Sequence, residues 1–289
     1  MAHCNSTNPV SLVVLAAGLG SRFGGDKQLA TLGDTGKPLM YFSVMDAYRA
    51  GVRRLVLLIN PHIEQAIQKQ FLPLLPGDLG VSQVCQLTDD LPEGCKAKSR
   101  EKPWGTGHAL WCARDVVPAA CVVINADDYY GADAMNQLLS HFERHGEWAL
   151  VSYKLGKTLS DFGPVNRGLC EVSNDFLTAV KECMAIEYVK GMIQGKIDGN
   201  PVSLASDTQV SMNIWGFGPD IFACLEKGLA GFFAEAHDNA QDEYYLPDQV
   251  MASIKAGESR VRVYHSQESW QGITYREDLE RLANCRQIL

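Results

Sequence analysis

The sequence predicts an α/β fold: a Rossmann-like open, mostly parallel (mixed) sheet with helices on both faces. Three observations predict it. Residues 10–17 and 54–60 are near-continuous apolar runs, the pattern of strands buried on both faces. A stretch with helical apolar spacing separates them, so the order reads β-α-β and favours a parallel pair joined by a crossover. The first run stops at a glycine-rich turn that carries two cations, and open α/β sheets bind ligands at the carboxyl ends of their strands.

Taken in order, residues 10–17 form the first strand. Residues 38–50 place Leu39, Phe42, Val44, Met45 and Tyr48 on one stripe, and Gly51 ends that helix. Residues 54–60 are the second strand, 64–71 a helix broken at Pro73 and Pro76, and 81–87 a short third strand. Residues 101–110 (E-K-P-W-G-T-G-H-A-L) read as a loop running into a helix near His108, with Thr106 as its cap. Residues 121–130 are an apolar strand ending in Asp127 and Asp128, with a helix starting near Ala132. Beyond Trp148 the pattern predicts a strand at 149–154 and a hairpin of 168–172 with 177–183. A glycine-containing mobile loop at 191–201 and a strand at 210–217 carrying Asn213 follow. Helices are expected at 219–229 and after Pro247, then a strand at 260–265 and a C-terminal helix. No composition break marks a linker, so one domain is expected over 1–289.

Composition bounds the function. The 289 residues are 46% hydrophobic, enough for a large core, and the formal net charge is −8. That balance argues against a general nucleic-acid or anionic-membrane partner. No apolar run reaches the ~20 residues of a membrane span, and the polar N-terminal stretch carries no signal-peptide pattern. Nine cysteines without a C-x-x-C pair favour reduced thiols, hence a cytoplasmic protein. The composition says nothing of oligomeric state.

Residues 13–27 read V-V-L-A-A-G-L-G-S-R-F-G-G-D-K. Glycines let backbone N–H groups approach an anion, and Arg22 and Lys27 add charge where phosphate oxygens would lie. The glycines of 103–107 leave room for a flat base against backbone, or simply join a strand to a helix. Asp127 and Asp128 either cap the following helix or offer hard oxygens to Mg²⁺; Asp127, first off the strand, is the metal candidate and Asp128 a further one. Asn213 lies on an otherwise apolar strand and is a pocket candidate. His108, Trp104 and Trp215 read as structural, and Asp248 as surface or pocket.

These residues resemble a family. L-A-A-G-L-G-S-R (15–22), K-Q-L (27–29) and G-K-P-L-M (36–40) resemble the signature of the sugar-phosphate nucleotidyltransferases. P-W-G-T-G-H-A-L (103–110) and N-A-D-D-Y-Y-G (125–131) resemble that family's base-binding loop and metal-aspartate segment. The likeness is good over 10–135 and loose afterwards. It implies a three-layer nucleotidyltransferase fold, with 10–135 binding a nucleoside triphosphate and 148–289 a phosphorylated small-molecule acceptor. The acceptor phosphate would attack the α-phosphorus, with Mg²⁺ as cofactor and pyrophosphate leaving. By matched position Leu15, Ala16, Ala17, Gly18 and Gly20 would line the nucleotide, with Pro103, Gly105, Thr106 and Gly107 about the base. Arg22 would hold the β,γ-phosphates, Lys27 (or Lys37) the reacting phosphates, and Asp127 the metal. Glu182 and Asn213 would meet the acceptor. Two departures stand out. Thr274 sits where relatives carry a metal-binding Asp, leaving Asp128 or Asp278 as substitutes, and Glu182-Cys183 stands where relatives often read Glu-Lys. A non-catalytic nucleotide or nucleotide-sugar sensor on the same fold is the alternative. A dinucleotide dehydrogenase is disfavoured because the first loop lacks G-x-G-x-x-G spacing.

Overall fold

Apolar strands alternate with amphipathic helices through the first half, and the chain folds accordingly. The computed structural model describes residues 10–18, 27–96, 100–235, 241–273, 276–285 and 288. In order it forms β1 (Ser11–Ala16), α1 (Leu39–Arg49), β2 (Arg54–Ile59), α2 (Glu64–Ala66, continued by a π-helical turn Ile67–Phe71), β3 (Gly80–Cys85), α3 (Thr106–Cys112), β4 (Cys121–Asn125), β5 (Asp128–Tyr129), α4 (Ala132–Phe142) and β6 (Trp148–Lys154). Then come β7 (Val165–Ser173), β8 (Phe176–Val189), β9 (Met192–Ile197), β10 (Asn200–Leu204), β11 (Gln209–Phe217), α5 (Asp220–Ala234), α6 (Leu246–Lys255), β12 (Val261–His265), β13 (Gln271–Gly272) and α7 (Asp278–Ala283).

The main sheet is mixed, in the order β10-β9-β8-β12-β6-β11-β4-β1-β2-β3, with β7 against β11 and β8. Strands β4, β1, β2 and β3 are parallel neighbours. Strand β11 runs antiparallel between β4 and β6, pairing Trp215 with both Val123 and Leu150. The pleat sends Leu12, Val14 and Ala16 to a core under α1 and α4, and Val13 to a second core under α3, α5 and α6. Helices therefore cover both faces, giving three layers. A third, small cluster of Leu32, Leu39, Tyr129, Ile273 and Leu282 pins the β5–β13 ladder beside α7. No helix among the described residues is long and apolar enough to cross a membrane.

Several expectations need correction. Residues 191–201, expected as a mobile loop, belong to the hairpin β9–β10, whose turn Asp198-Gly199 has both φ values positive (49° and 80°). That is the primed-turn chemistry of a tight hairpin, and Asp-Gly carries it cheaply. The run 121–130 is not one strand. It stops at Asn125, turns at Ala126–Asp127, and resumes as β5 against β13. Thr106 does not cap α3: it is the first helical residue, Gly105 holds the cap position, and the Thr106 hydroxyl instead accepts from the Leu246 N–H at 3.0 Å.

Candidate active site

Two cavities open along the carboxyl ends of the central strands. The larger, about 700 Å³, follows directly from β1: Leu15, Ala17 and Gly18 form one wall, with Lys27 and Gln28 beyond them. The Gln28 side-chain amide donates to the Gly18 carbonyl at 2.5 Å and ties that turn to the segment after it. The opposite wall is Pro103, Gly105 and Thr106 with Gln86 and Glu243. Ala16 does not line this space; the strand's alternation turns it into the core. Gly107 does not line it either, and the reason is packing. A Cβ there would lie 2.7 Å from the Tyr244 ring, so the missing side chain makes room for Tyr244, not for a ligand. Gly105 combines φ +98° with a Cβ position 2.9 Å from the Tyr244 carbonyl oxygen. The loop is held there by backbone bonds, Gly107 N–H to Tyr244 O at 2.9 Å and Tyr244 N–H to Trp104 O at 2.6 Å.

Below that wall His108 is fully buried. Its Nε2 lies 2.7 Å from the Asp90 carbonyl and its Nδ1 3.0 Å from the Gln86 amide nitrogen. Donation to Asp90 leaves Nδ1 as the acceptor, and burial depresses the imidazole pKa, so the ring is neutral. Gln86 Nε2 also donates to the Gly105 carbonyl at 3.0 Å. His108 thus braces the loop through Gln86. Trp104 and Trp215 are buried packing residues, as read from sequence.

The second cavity, about 300 Å³, is lined by side chains of β7, β8 and β11: Asn166, Arg167, Glu182, Ser211 and Asn213, closed by Trp270. Burial raises the Glu182 pKa, while the Arg167 charge opposes that. Asn213 sits where β11 loses register between Ser211 and Trp215, with φ +62°. Asn tolerates this left-handed conformation better than most residues. Its side-chain oxygen accepts from the Trp215 indole at 3.3 Å, while its Nδ2 makes no hydrogen bond among the described residues.

Lys27, Asn125, Asp127 and Asn213 line both cavities and form the partition between them. Lys27 Nζ lies 2.5 Å from Asp127 Oδ2. The Asp127 side chain is 34% exposed, whereas Asp128 is buried and accepts from Asn125 Nδ2 at 2.8 Å and the Tyr130 hydroxyl at 3.0 Å. Burial, and then the adjacent Asp127 charge, push the Asp128 pKa up to about 7. No group of three or more acidic, histidine or cysteine residues suited to a metal occurs among the described residues. The donor set instead fits a hard divalent ion held by one or two carboxylates and completed by ligand phosphates and water.

The remaining sequence candidates divide cleanly. Arg22, Gly20 and Thr274 lie outside the described residues; the neighbouring Ile273 N–H bonds the Asp127 carbonyl at 3.0 Å. Lys37 lines neither cavity and lies 4.5 Å over the Tyr41 ring. Asp278 is buried on α7 and lines neither cavity, whereas Asp128, the other candidate substitute for Thr274, lines the smaller one. Asp248 is exposed and lines neither, although Pro247 beside it lines the smaller one.

A family model for the MobA-like NTP transferase domain matches residues 12–207. The chain belongs to the MobA-like NTP transferases. Among relatives of this NTP transferase, the bifunctional protein GlmU of Mycolicibacterium gilvum (strain PYR-GCK) is 25% identical over 260 residues, which cover 88% of this chain and 44% of that protein. A UTP–glucose-1-phosphate uridylyltransferase of Bacillus subtilis (strain 168) is 23% identical over 234 residues, 76% and 74% of the two chains. The chain thus spans about half the length of the GlmU relatives it matches, 44% to 52%. The inositol-1-phosphate CTP transferase of T. maritima shares the fold at TM-score 0.63, with 14% identity and 96% and 94% coverage. So does a UDP-glucose pyrophosphorylase of Acinetobacter baumanii, at TM-score 0.60, 16% identity, and 95% and 92% coverage.

Within this NTP transferase domain, the sequence reading missed Asn125, Gln86, Arg167 and Trp270. Arg167 carried a visible signal, since P-V-N-R-G opens a strand between a proline and a glycine. Trp270 carried none: its place depends on the β5–β13 ladder.

Proposed function

We propose that this chain is a Mg²⁺-dependent nucleotidyltransferase. It joins a nucleoside triphosphate to a sugar 1-phosphate or a similar phosphorylated acceptor, with release of pyrophosphate. Residues 10–135 form the nucleotide-binding half and 148–289 the acceptor-binding half of one domain. The observation that carries this reading is the partition: two chambers share Lys27 and Asp127, so a phosphate in each would meet at a cation and a carboxylate.

In this reading Leu15, Ala17, Gly18 and the outlying Gly20 bound the nucleotide, with Pro103, Gly105 and Thr106 at the base. Lys27 neutralises the reacting phosphates, and Arg22 the leaving pair. Asp127, with Asp128 beside it, holds the metal, which supplies charge neutralisation across the phosphates. Asn213 and Glu182 hold the acceptor. An anion attacking a polyanion needs charge compensation and alignment more than a protein nucleophile, and the site supplies a cation and a carboxylate held against each other.

The test is a pyrophosphate-release assay with each of four NTPs, Mg²⁺ and a panel of sugar 1-phosphates. Sustained release in one combination is expected. Tight binding with no release in any combination would instead make the chain a nucleotide or nucleotide-sugar sensor on the same fold.

A further inference from the structure

The smaller chamber poses a charge problem that Lys27 does not solve. Three carboxylates line it, those of Asp127, Asp128 and Glu182. Lys27 already lies against Asp127. A phosphorylated acceptor would bring further negative charge into the same space. The other cation lining this chamber is Arg167, and it has no part in the walls of the larger one.

The guanidinium of Arg167 is held entirely by neutral oxygens. Its Nε donates to the Thr158 hydroxyl at 3.3 Å, one Nη to the Asn166 carbonyl at 2.8 Å, and the other to the Thr158 carbonyl. No carboxylate lies within ion-pair distance of it among the described residues. Guanidinium carries five N–H donors, so two remain for a ligand. Its orientation is fixed from behind. Thr158 is buried and its hydroxyl donates to the Leu155 carbonyl at 2.9 Å, and the Trp270 ring lies 4.8 Å away on another side. Arg167 shares the chamber lining with Asn125 and Asp127 of the partition. Burial lowers its pKa to about 10, so it stays charged at neutral pH. A rigid guanidinium that forms no direct ion pair among the described residues and keeps spare donors suits bidentate capture of a phosphate.

We propose that Arg167 binds the phosphate of the acceptor and makes this chamber selective for phosphorylated over unphosphorylated acceptors. Thr158 acts as a positioning residue that holds the guanidinium in place. The proposal rests on the transferase reading for its substrate, but the binding itself does not require turnover.

The test is thermal-shift and calorimetric titration of the full chain with a panel of aldose 1-phosphates and, in parallel, the corresponding free aldoses, with UTP, ATP, CTP and GTP as controls. In the wild type at least one sugar phosphate should bind well above its parent sugar. Arg167→Ala should weaken that binding by at least roughly tenfold, the loss expected for a hydrogen bond to a charged group, and leave the nucleotide response unchanged. Arg167→Lys should recover part of the loss. Thr158→Val, which removes the Nε acceptor but not the charge, should fall between wild type and Arg167→Ala. Equal sugar-phosphate affinity in wild type and Arg167→Ala overturns the proposal, as does a wild type that binds no sugar phosphate above its parent sugar. If binding depends on Arg167 yet no NTP gives pyrophosphate, the transferase reading fails and this assignment stands. A retained nucleotide response in Arg167→Ala shows that the variant is folded.

Discussion

The two chambers are built by different means. The larger has two edges of short residues, Ala17–Gly18 after β1 and the Pro103–Thr106 loop clamped against Tyr244, with the longer polar side chains of Gln28, Gln86, Lys102 and Glu243 between them. The smaller is walled by side chains projected from antiparallel strands, Arg167, Glu182, Ser211 and Asn213 among them. A backbone wall presents the same groups whatever the neighbouring side chains, so it suits the constant part of a substrate. A side-chain wall changes with each substitution, so it suits the variable part. Under the proposed function, this difference would assign base-independent phosphate handling to one half and acceptor choice to the other.

The partition should be the most sensitive place of all, because both chambers depend on it. Lys27→Ala and Asp127→Asn should each lower kcat by about 10²–10³, measured as pyrophosphate release. The double variant should lose much less than the product of the two, since the residues act as one contact. Independent, multiplying losses would break the picture of a shared wall.

Next in size is a test of the backbone wall. Gly107→Ala places a methyl 2.7 Å from the Tyr244 ring and 3.0 Å from its carbonyl. Overpacking of this kind costs about 1–3 kcal/mol, so the melting temperature should fall by several degrees and nucleotide affinity with it, while acceptor binding holds. Loss of acceptor binding instead would erase the division between the walls.

A comparable but pH-dependent effect is expected at Asp128, on the acceptor side of the partition. Its folded pKa, about 7, lies above the ordinary value of 3.8. The folded state therefore holds the proton more tightly, and stability falls as pH rises from about 4 to about 7. Asp128→Asn removes that dependence. Without added metal, its melting temperature should exceed that of the wild type at pH 7.5, and the gap should close by pH 4. A pH-independent gap would show that hydrogen bonding, not charge, decides the difference.

The smallest effect concerns Asn213. Asn213→Gly keeps φ +62° without strain, so stability should change little while the acceptor KM rises. Asn213→Ala should raise KM similarly and also cost about 1 kcal/mol in stability, seen as a lower denaturation midpoint.

The same contrast explains what could be read from the chain alone. The parallel strands and their order were legible because burial on both faces is written in contiguous residues. Lys27, Asp127, Gly105 and Asn213, singled out from local pattern and from the family resemblance, line the cavities. Gly107 was misread because its lack of a side chain answers Tyr244, which lies 137 positions away in sequence. Arg167 and Trp270 were missed because a chamber between β7, β8 and β11, closed by Trp270, exists only once strand register is set. The β9–β10 hairpin was hidden by its polar, glycine-containing composition, although Asp198-Gly199 marked its turn.

The four-residue partition has a practical consequence for ligands. Two fragments, one per chamber, would each pay the full loss of translational freedom on binding. A single molecule crossing at Lys27 and Asp127 would lose it once, and its second half would bind at a high effective concentration. A stable tether between nucleotide and acceptor should thus hold far more tightly than either piece, whichever base and sugar it carries.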